Sequence, residues 1–182
     1  LVRLTQKQAE SSETSIAPVR LRDWNQLNST FRVISGYFVE DVSETSGDLP
    51  ERVRRAFVTP GILEAFGVSP AQGRGFRDEE HRFGGPPAAL VSDRYWRARL
   101  GSSPDVLSRS PRIGDKAVPI VGVMPASFRF PDREVDVWFP SPVDAKLAQS
   151  PHSTWYQGIG RLRAGVTLDQ ARADLAAVQA RL

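Results

Sequence analysis

Two histidines, His81 and His152, are the only imidazoles in this sequence, and either could in principle ligate a metal or shuttle a proton. Neither stands in an HxxxH or comparable ligand spacing, so both read as satisfied or exposed side chains rather than ligands. Asp78, Glu79 and Glu80 could supply an acid and a base, but consecutive carboxylates at the start of a helical turn fit the positive end of its dipole better. Ser92 follows an apolar strand and opens a helix, the placement of a nucleophile. Its flanks, Leu90-Val91 and Asp93-Arg94, lack the glycines of a G-x-S-x-G turn, which leaves a helix N-cap. Gly73-Arg74-Gly75 and Gly84-Gly85 are too sparse to cradle a phosphate and read as turns. Trp24, Trp96, Trp138 and Trp155 could stack on a ligand, yet all have apolar neighbours and read as packing residues. The sequence therefore yields no catalytic, cofactor-binding or metal-binding residue, and the expectation is a protein that is not an enzyme.

Composition narrows the classes further. Of 24 basic residues 21 are arginine, the exceptions being Lys7, Lys116 and Lys146, against 21 acidic residues and a formal net charge of +3. The arginines are interleaved with acids, as in Arg77-Asp78-Glu79-Glu80 and Arg172-Ala-Asp174, so a solvated mixed-charge surface is expected and no nucleic-acid partner. There is no cysteine, which excludes a disulfide scaffold and a thiolate metal site. No apolar run approaches the ~20 residues that span a bilayer. The opening Leu1-Val-Arg-Leu4 and a final helix without a stop signal read as an excised piece of a longer protein.

The elements that must position these residues follow from periodicity and punctuation. Leu1 to Lys7 alternates as a strand, Ala9 to Ser15 is a polar loop, and Pro18 opens a helix carrying Val19, Leu21, Trp24 and Leu27 until Asn28-Ser-Thr30 ends it. Phe31 to Val42 is a strand whose Gly36 suggests a bulge; after a turn at Ser46-Gly47-Asp48, Arg52 to Thr59 returns. Thr59-Pro60 reads as N-cap and first position of a short helix burying Ile62, Leu63 and Phe66, stopped by Gly67. Gly73 to Pro87 is turn-rich. Ala88 to Val91 is a buried strand, and Ser92 caps a helix bearing Tyr95, Trp96 and Leu100. Gly114-Asp115 joins strands Pro111–Ile113 and Ala117–Val123, and Val135 to Phe139 is a further strand. Trp155 to Arg163 alternates, and Thr167-x-x-Gln170 fits a capping box for a last helix with Leu168, Leu175, Val178 and Leu182 on one stripe. This order is α+β. The late strand and helix complete the first unit, giving a discontinuous subdomain over 1–70 and 150–182 with a small β-rich insertion at 71–149.

Five segments in this order resemble the MacB-like periplasmic core domain of ABC-transporter permeases. "VTPGILEAFGVSPAQGRGFRDEE" (Val58 to Glu80) is similar to its short helix, Gly-Arg-x-Phe turn and acidic pair, and "PAALVSDRYWRARLG" (Pro87 to Gly101) to its strand and Trp-bearing helix. "AVPIVGVMPASFRFP" (Ala117 to Pro131), "DVWFP" (Asp136 to Pro140) and "GRLRAGVTLDQARADLAAVQARL" (Gly160 to Leu182) resemble its remaining strands and closing helix. Where the family has Gly-Arg before the hairpin, this chain has Ser108-Arg109-Ser110-Pro111, and a proline there predicts an edge strand.

The resemblance implies a porter part made from both ends of the segment and an inserted Sabre part. It implies an extracytoplasmic, periplasmic domain of an inner-membrane protein, between the first and second transmembrane helices. That domain would be non-catalytic and would couple helix motion to export or to periplasmic protein partners. The partners implied are a cytoplasmic ABC ATPase reached through the rest of the permease, a periplasmic adaptor protein, and a second copy in a dimeric transporter. The alternative is a free-standing extracytoplasmic binding or adaptor domain without a transport role.

Overall fold

In the computed structural model, which describes residues 1–5, 15–144 and 146–182, the chain divides into two units. The first is Leu1–Phe38, Gly61–Gly67 and Val143–Leu182; the second is Val39–Pro60 and Val68–Pro142. The class is α+β with an interrupted first unit. The division differs from 1–70, 71–149 and 150–182 in placing residues 39–60 and 68–70 in the second unit and residues 143–149 in the first. The cause is one strand, β2 (Phe31–Glu44), which runs for 14 residues and serves both units, whereas ordinary strands stop at about 5–6 residues. Most of the expected loop Ala9–Ser15, and the end of the expected first strand, lie outside the described residues.

In the first unit β10 (Gln157–Leu162) lies between β1 (Val2–Leu4) and the beginning of β2, antiparallel to both. Helix α1 (Pro18–Leu27) begins at Pro18 and ends at Asn28, whose side-chain amide donates to the Trp24 carbonyl (2.6 Å) while its side-chain oxygen accepts from the Phe31 amide (2.6 Å). One residue thereby turns helix into strand. Gly36 is not a bulge: the register runs through it unbroken, and the irregularity lies at Arg161/Leu162. Gly36 is instead a crossing point, where a Cβ would come within 2.4 Å of Leu21 Cδ1 and 3.0 Å of Tyr156 Cγ.

Helix α2 (Ile62–Phe66) starts two residues later than Thr59-Pro60 suggests, because Gly61 at φ 86° makes a left-handed turn that proline cannot make. It buries Ile62 and Ala65, leaving Leu63 and Phe66 half-buried. Helix α4 (Leu168–Gln179) has the expected capping box, with Thr167 accepting from the Gln170 amide and Gln170 from that of Thr167. It does not run to the last residue, since Arg181 and Leu182 bond three residues back, to Val178 and Gln179. Its stripe is also rotated from expectation: Ala171 and Val178 are buried, Leu175 half-buried, and Leu168 and Leu182 are 44% and 48% exposed.

In the second unit the strand order after β2 is β3 (Glu51–Val58), β9 (Val135–Pro140), β5 (Ala89–Val91), β8 (Ile120–Val123) and β4 (Gln72–Gly73). Helix α3 (Asp93–Leu100) is capped by Ser92, which accepts from the Tyr95 amide at 3.0 Å, and packs Tyr95 against Val91, Val106 and Val137. Gly114-Asp115 turns β6 (Arg112–Ile113) into β7 (Lys116–Ala117). β6 is not an edge, because β2 pairs on its other side. Pro111 precedes the paired residues and contributes only its carbonyl, which accepts from the Val118 amide, so its missing N–H costs nothing there. The strand expected over Ala117–Val123 is split into β7 and β8 by Pro119, which has no amide to continue the ladder. Beyond β8 the segment Phe128-Arg129-Phe130 wraps Trp138: the Phe128 ring lies tilted against the indole at 5.3 Å, and the indole N–H donates to the Phe130 carbonyl at 2.9 Å.

Candidate functional site

The residues whose types suggested chemistry do not converge. His81 is half-buried with its ring edge on Phe76 (5.6 Å), and desolvation lowers its affinity for a proton despite Asp78 and Glu80 nearby. Among the described residues no three His, Asp or Glu side chains stand as a metal would require. Asp78 and Glu79 are exposed while Glu80 is buried. Glu80 receives both Arg74 terminal nitrogens (2.6 and 3.0 Å) and the Arg77 amide (2.7 Å). Burial raises its pKa, but those donors outweigh burial and hold the carboxyl below its usual range. A carboxylate so enclosed is a clamp on the 78–81 turn, not a general base. Ser92 is the expected N-cap. Gly73 and Gly84 have φ near 74° and 75° and are turn residues. Trp24 and Trp138 are core side chains, and Trp96 and Trp155 pack against the two cores.

Side chains converge in two other places. In the second unit a cleft of about 430 Å³ is lined by an ionic ladder across β3, β9 and α3. Arg52 donates to Asp41 (2.5 Å), Arg54 to Glu134 (3.2 Å), Arg94 to Asp136 (2.6 Å), and Arg99 pairs with Glu51. The Arg52 hydrogen bond holds Asp41 below the usual carboxylate range. Tyr95, 1% exposed, has its phenol pushed far above its ordinary value, first by burial and then by the Glu44 charge. Each guanidinium faces a carboxylate, so the cleft fastens strands together rather than offering free charge. Arg52 and Arg54 alternate on one face of β3; Asp41 lies 11 residues from Arg52 on the adjoining β2, whereas Glu134 and Asp136 lie 80 and 42 residues from Arg54 and Arg94, beyond the reach of local sequence signals.

In the first unit a groove of about 730 Å³ lies between β1 and α4. Val2, Leu4, Phe31 and Leu175 form its apolar walls, and Arg3 and Arg172 also line it. Nearby, Asp174 of α4 fixes the turn between α1 and β2, accepting from the Ser29 and Thr30 amides (2.8 and 3.0 Å) and from both hydroxyls (3.1 and 2.7 Å). Burial pushes the Asp174 pKa up, yet these four donors prevail and leave it lowered.

This two-unit α+β fold recurs among solved structures. It is shared by the extracellular domain of the ABC-type transporter YknZ from Gram-positive bacteria, at TM-score 0.69 and 13% identity over 97% of this chain and 90% of that one. The periplasmic region of MacB from Actinobacillus actinomycetemcomitans superposes at TM-score 0.69, with 12% identity over 98% of this chain and 81% of the other. A domain of a permease from Porphyromonas gingivalis superposes at 0.68, with 19% identity over 92% and 71%. No curated protein matches in sequence. The chain belongs to the MacB-like periplasmic core domain family, which matches residues 1–178, as the segment resemblances implied. The fold class, a discontinuous porter-like part with an inserted Sabre-like part, is the architecture of those neighbours. The family is one of ABC-transporter permeases, which work with cytoplasmic ATPases, and no enzyme family is indicated. Among the described residues no helix is long and apolar enough to cross a membrane.

Proposed function

We propose that this chain is the non-catalytic periplasmic part of an ABC-transporter permease, coupling ATPase-driven movement of transmembrane helices to export or to periplasmic protein partners. The observation carrying this reading is that β1 and α4 flank one groove and belong to one unit. In the family these elements connect to the first and second transmembrane helices. Displacement of those helices then acts on the porter unit through two packed elements. Packed helices pass such shifts on because their contacts do not deform continuously. A periplasmic adaptor protein and a dimeric full-length transporter belong to the same reading.

The test is a flexible Gly-Ser insertion directly after Leu182 in the complete transporter. ATP turnover is expected to continue while transport falls. Unchanged transport, with the protein inserted and abundant, would refute the coupling role.

A further inference from the structure

Helix α4 packs on the first unit's core with Ala171, Leu175 and Val178, an apolar face whose attraction has no direction. Such a face resists separation better than it resists sliding. Among the described residues only one α4 side chain forms a hydrogen bond beyond the helix and its cap. That residue is Asp174. Its Oδ2 accepts from the Ser29 amide, the Thr30 amide and the Thr30 hydroxyl (2.8, 3.0 and 2.7 Å), and its Oδ1 from the Ser29 hydroxyl (3.1 Å). Four donors on one carboxylate fix α4 along its axis as well as across it, because hydrogen bonds weaken steeply as their angle opens.

The turn that Asp174 grips is itself tied down. Asn28 bonds it to the end of α1 and the start of β2, and the Thr30 carbonyl accepts from the Arg163 amide (2.9 Å), just past β10. Asn25 of α1 then closes on β2: its Nδ2 donates to the Ile34 carbonyl (2.7 Å) and its Oδ1 accepts from the Ile34 amide (2.9 Å). From α4 to Ile34 every step is a covalent bond or a directional hydrogen bond. We propose that Asp174 is the joint through which movement of α4 reaches β2, a positioning residue that touches no ligand. The role presupposes that α4 is driven from the membrane, the coupling proposed above.

The complete transporter with its ATPase provides the test, read by hydrogen exchange in peptides of α4 and of residues 31–38, without nucleotide and with ATP trapped by vanadate. In the wild type, nucleotide is expected to change exchange in both peptides. In Asp174→Ala the α4 response should persist while the response of 31–38 falls about fivefold. Ser29→Ala combined with Thr30→Val removes the two hydroxyl donors from the other side and should lower that response in the same direction. Ile16→Val trims a fully buried side chain of the same core without touching these bonds. Its basal exchange should rise while the nucleotide response of 31–38 stays. Retention of the full response in Asp174→Ala would overturn the joint, as would a wild type in which α4 responds and 31–38 does not. Equal loss in Ile16→Val would overturn it too, reducing Asp174 to a stabilising residue. A wild type in which neither peptide responds would sink the coupling role itself, and the joint with it.

Discussion

Asp174 shows how much a single side chain holds in the porter unit. Its four accepted bonds join α4 to the turn that carries α1 into β2, and the serine and threonine hydroxyls it satisfies have the adjacent amides beside them. Hydrogen bonds to a charged group contribute about 1.5–3 kcal/mol each when intact, but water replaces part of that at a half-exposed site. Asp174→Ala is therefore expected to cost about 2 kcal/mol, measured as a lower urea midpoint at unchanged m-value. The pH dependence follows from the sign of the shift. The folded pKa lies below the unfolded value of about 3.9, so the contribution is complete above roughly pH 4. It is lost as pH falls through the lower folded value. The wild type should lose stability more steeply than Asp174→Ala on acidification below pH 4, and parallel curves would show that the carboxylate is not the group responsible.

At the scale of elements, β10 is shaped by what it lacks. Gly158 and Gly160 stand two apart on one face, and a Cβ on Gly160 would lie 2.6 Å from Phe31 Cδ1 and 2.7 Å from Cε1. Phe31 is 2% exposed and its ring cannot fold away as an aliphatic tip can. Gly160→Ala should cost about 1–3 kcal/mol by overpacking, and Phe31→Leu should recover part of that in the double variant. Gly47, where an added methyl would have nothing within 4 Å, is the control, and Gly47→Ala should leave the urea midpoint unchanged. If both glycines respond alike, close packing is not the reason for Gly160. The local signals of such elements were legible: Ser92 and the Thr167–Gln170 box mark helix starts because caps act over three residues. Gly36 misleads because a bulge and a crossing point leave the same glycine in the sequence. The start of α2 slips because Gly61 takes a left-handed turn that the better-known Thr-Pro signal conceals. Asp174 and the arginine ladder were not legible as sites, since their partners lie as far as 145 residues away.

For the molecule as a whole, the important feature is that each unit has its own buried cluster. One is built around Ile16, Trp24, Phe31 and Tyr156, the other around Val91, Tyr95, Val123 and Val137. The chain enters the inserted unit along β2 and after Gly67, so connectivity alone does not reveal how independently the two cores open. Asp174→Ala distinguishes the cases, because every bond it removes lies in the first unit. If the cores open separately, native-state hydrogen exchange should accelerate for protected amides of the first unit, such as Ile34 and Gly160, by about 30-fold for a 2 kcal/mol loss. The amides of Val91 and Val137 in the second unit should keep their wild-type rates. Equal acceleration in both sets would mean that the porter and Sabre cores open only together, and a shift at the porter unit would then be felt as one cooperative event throughout the domain.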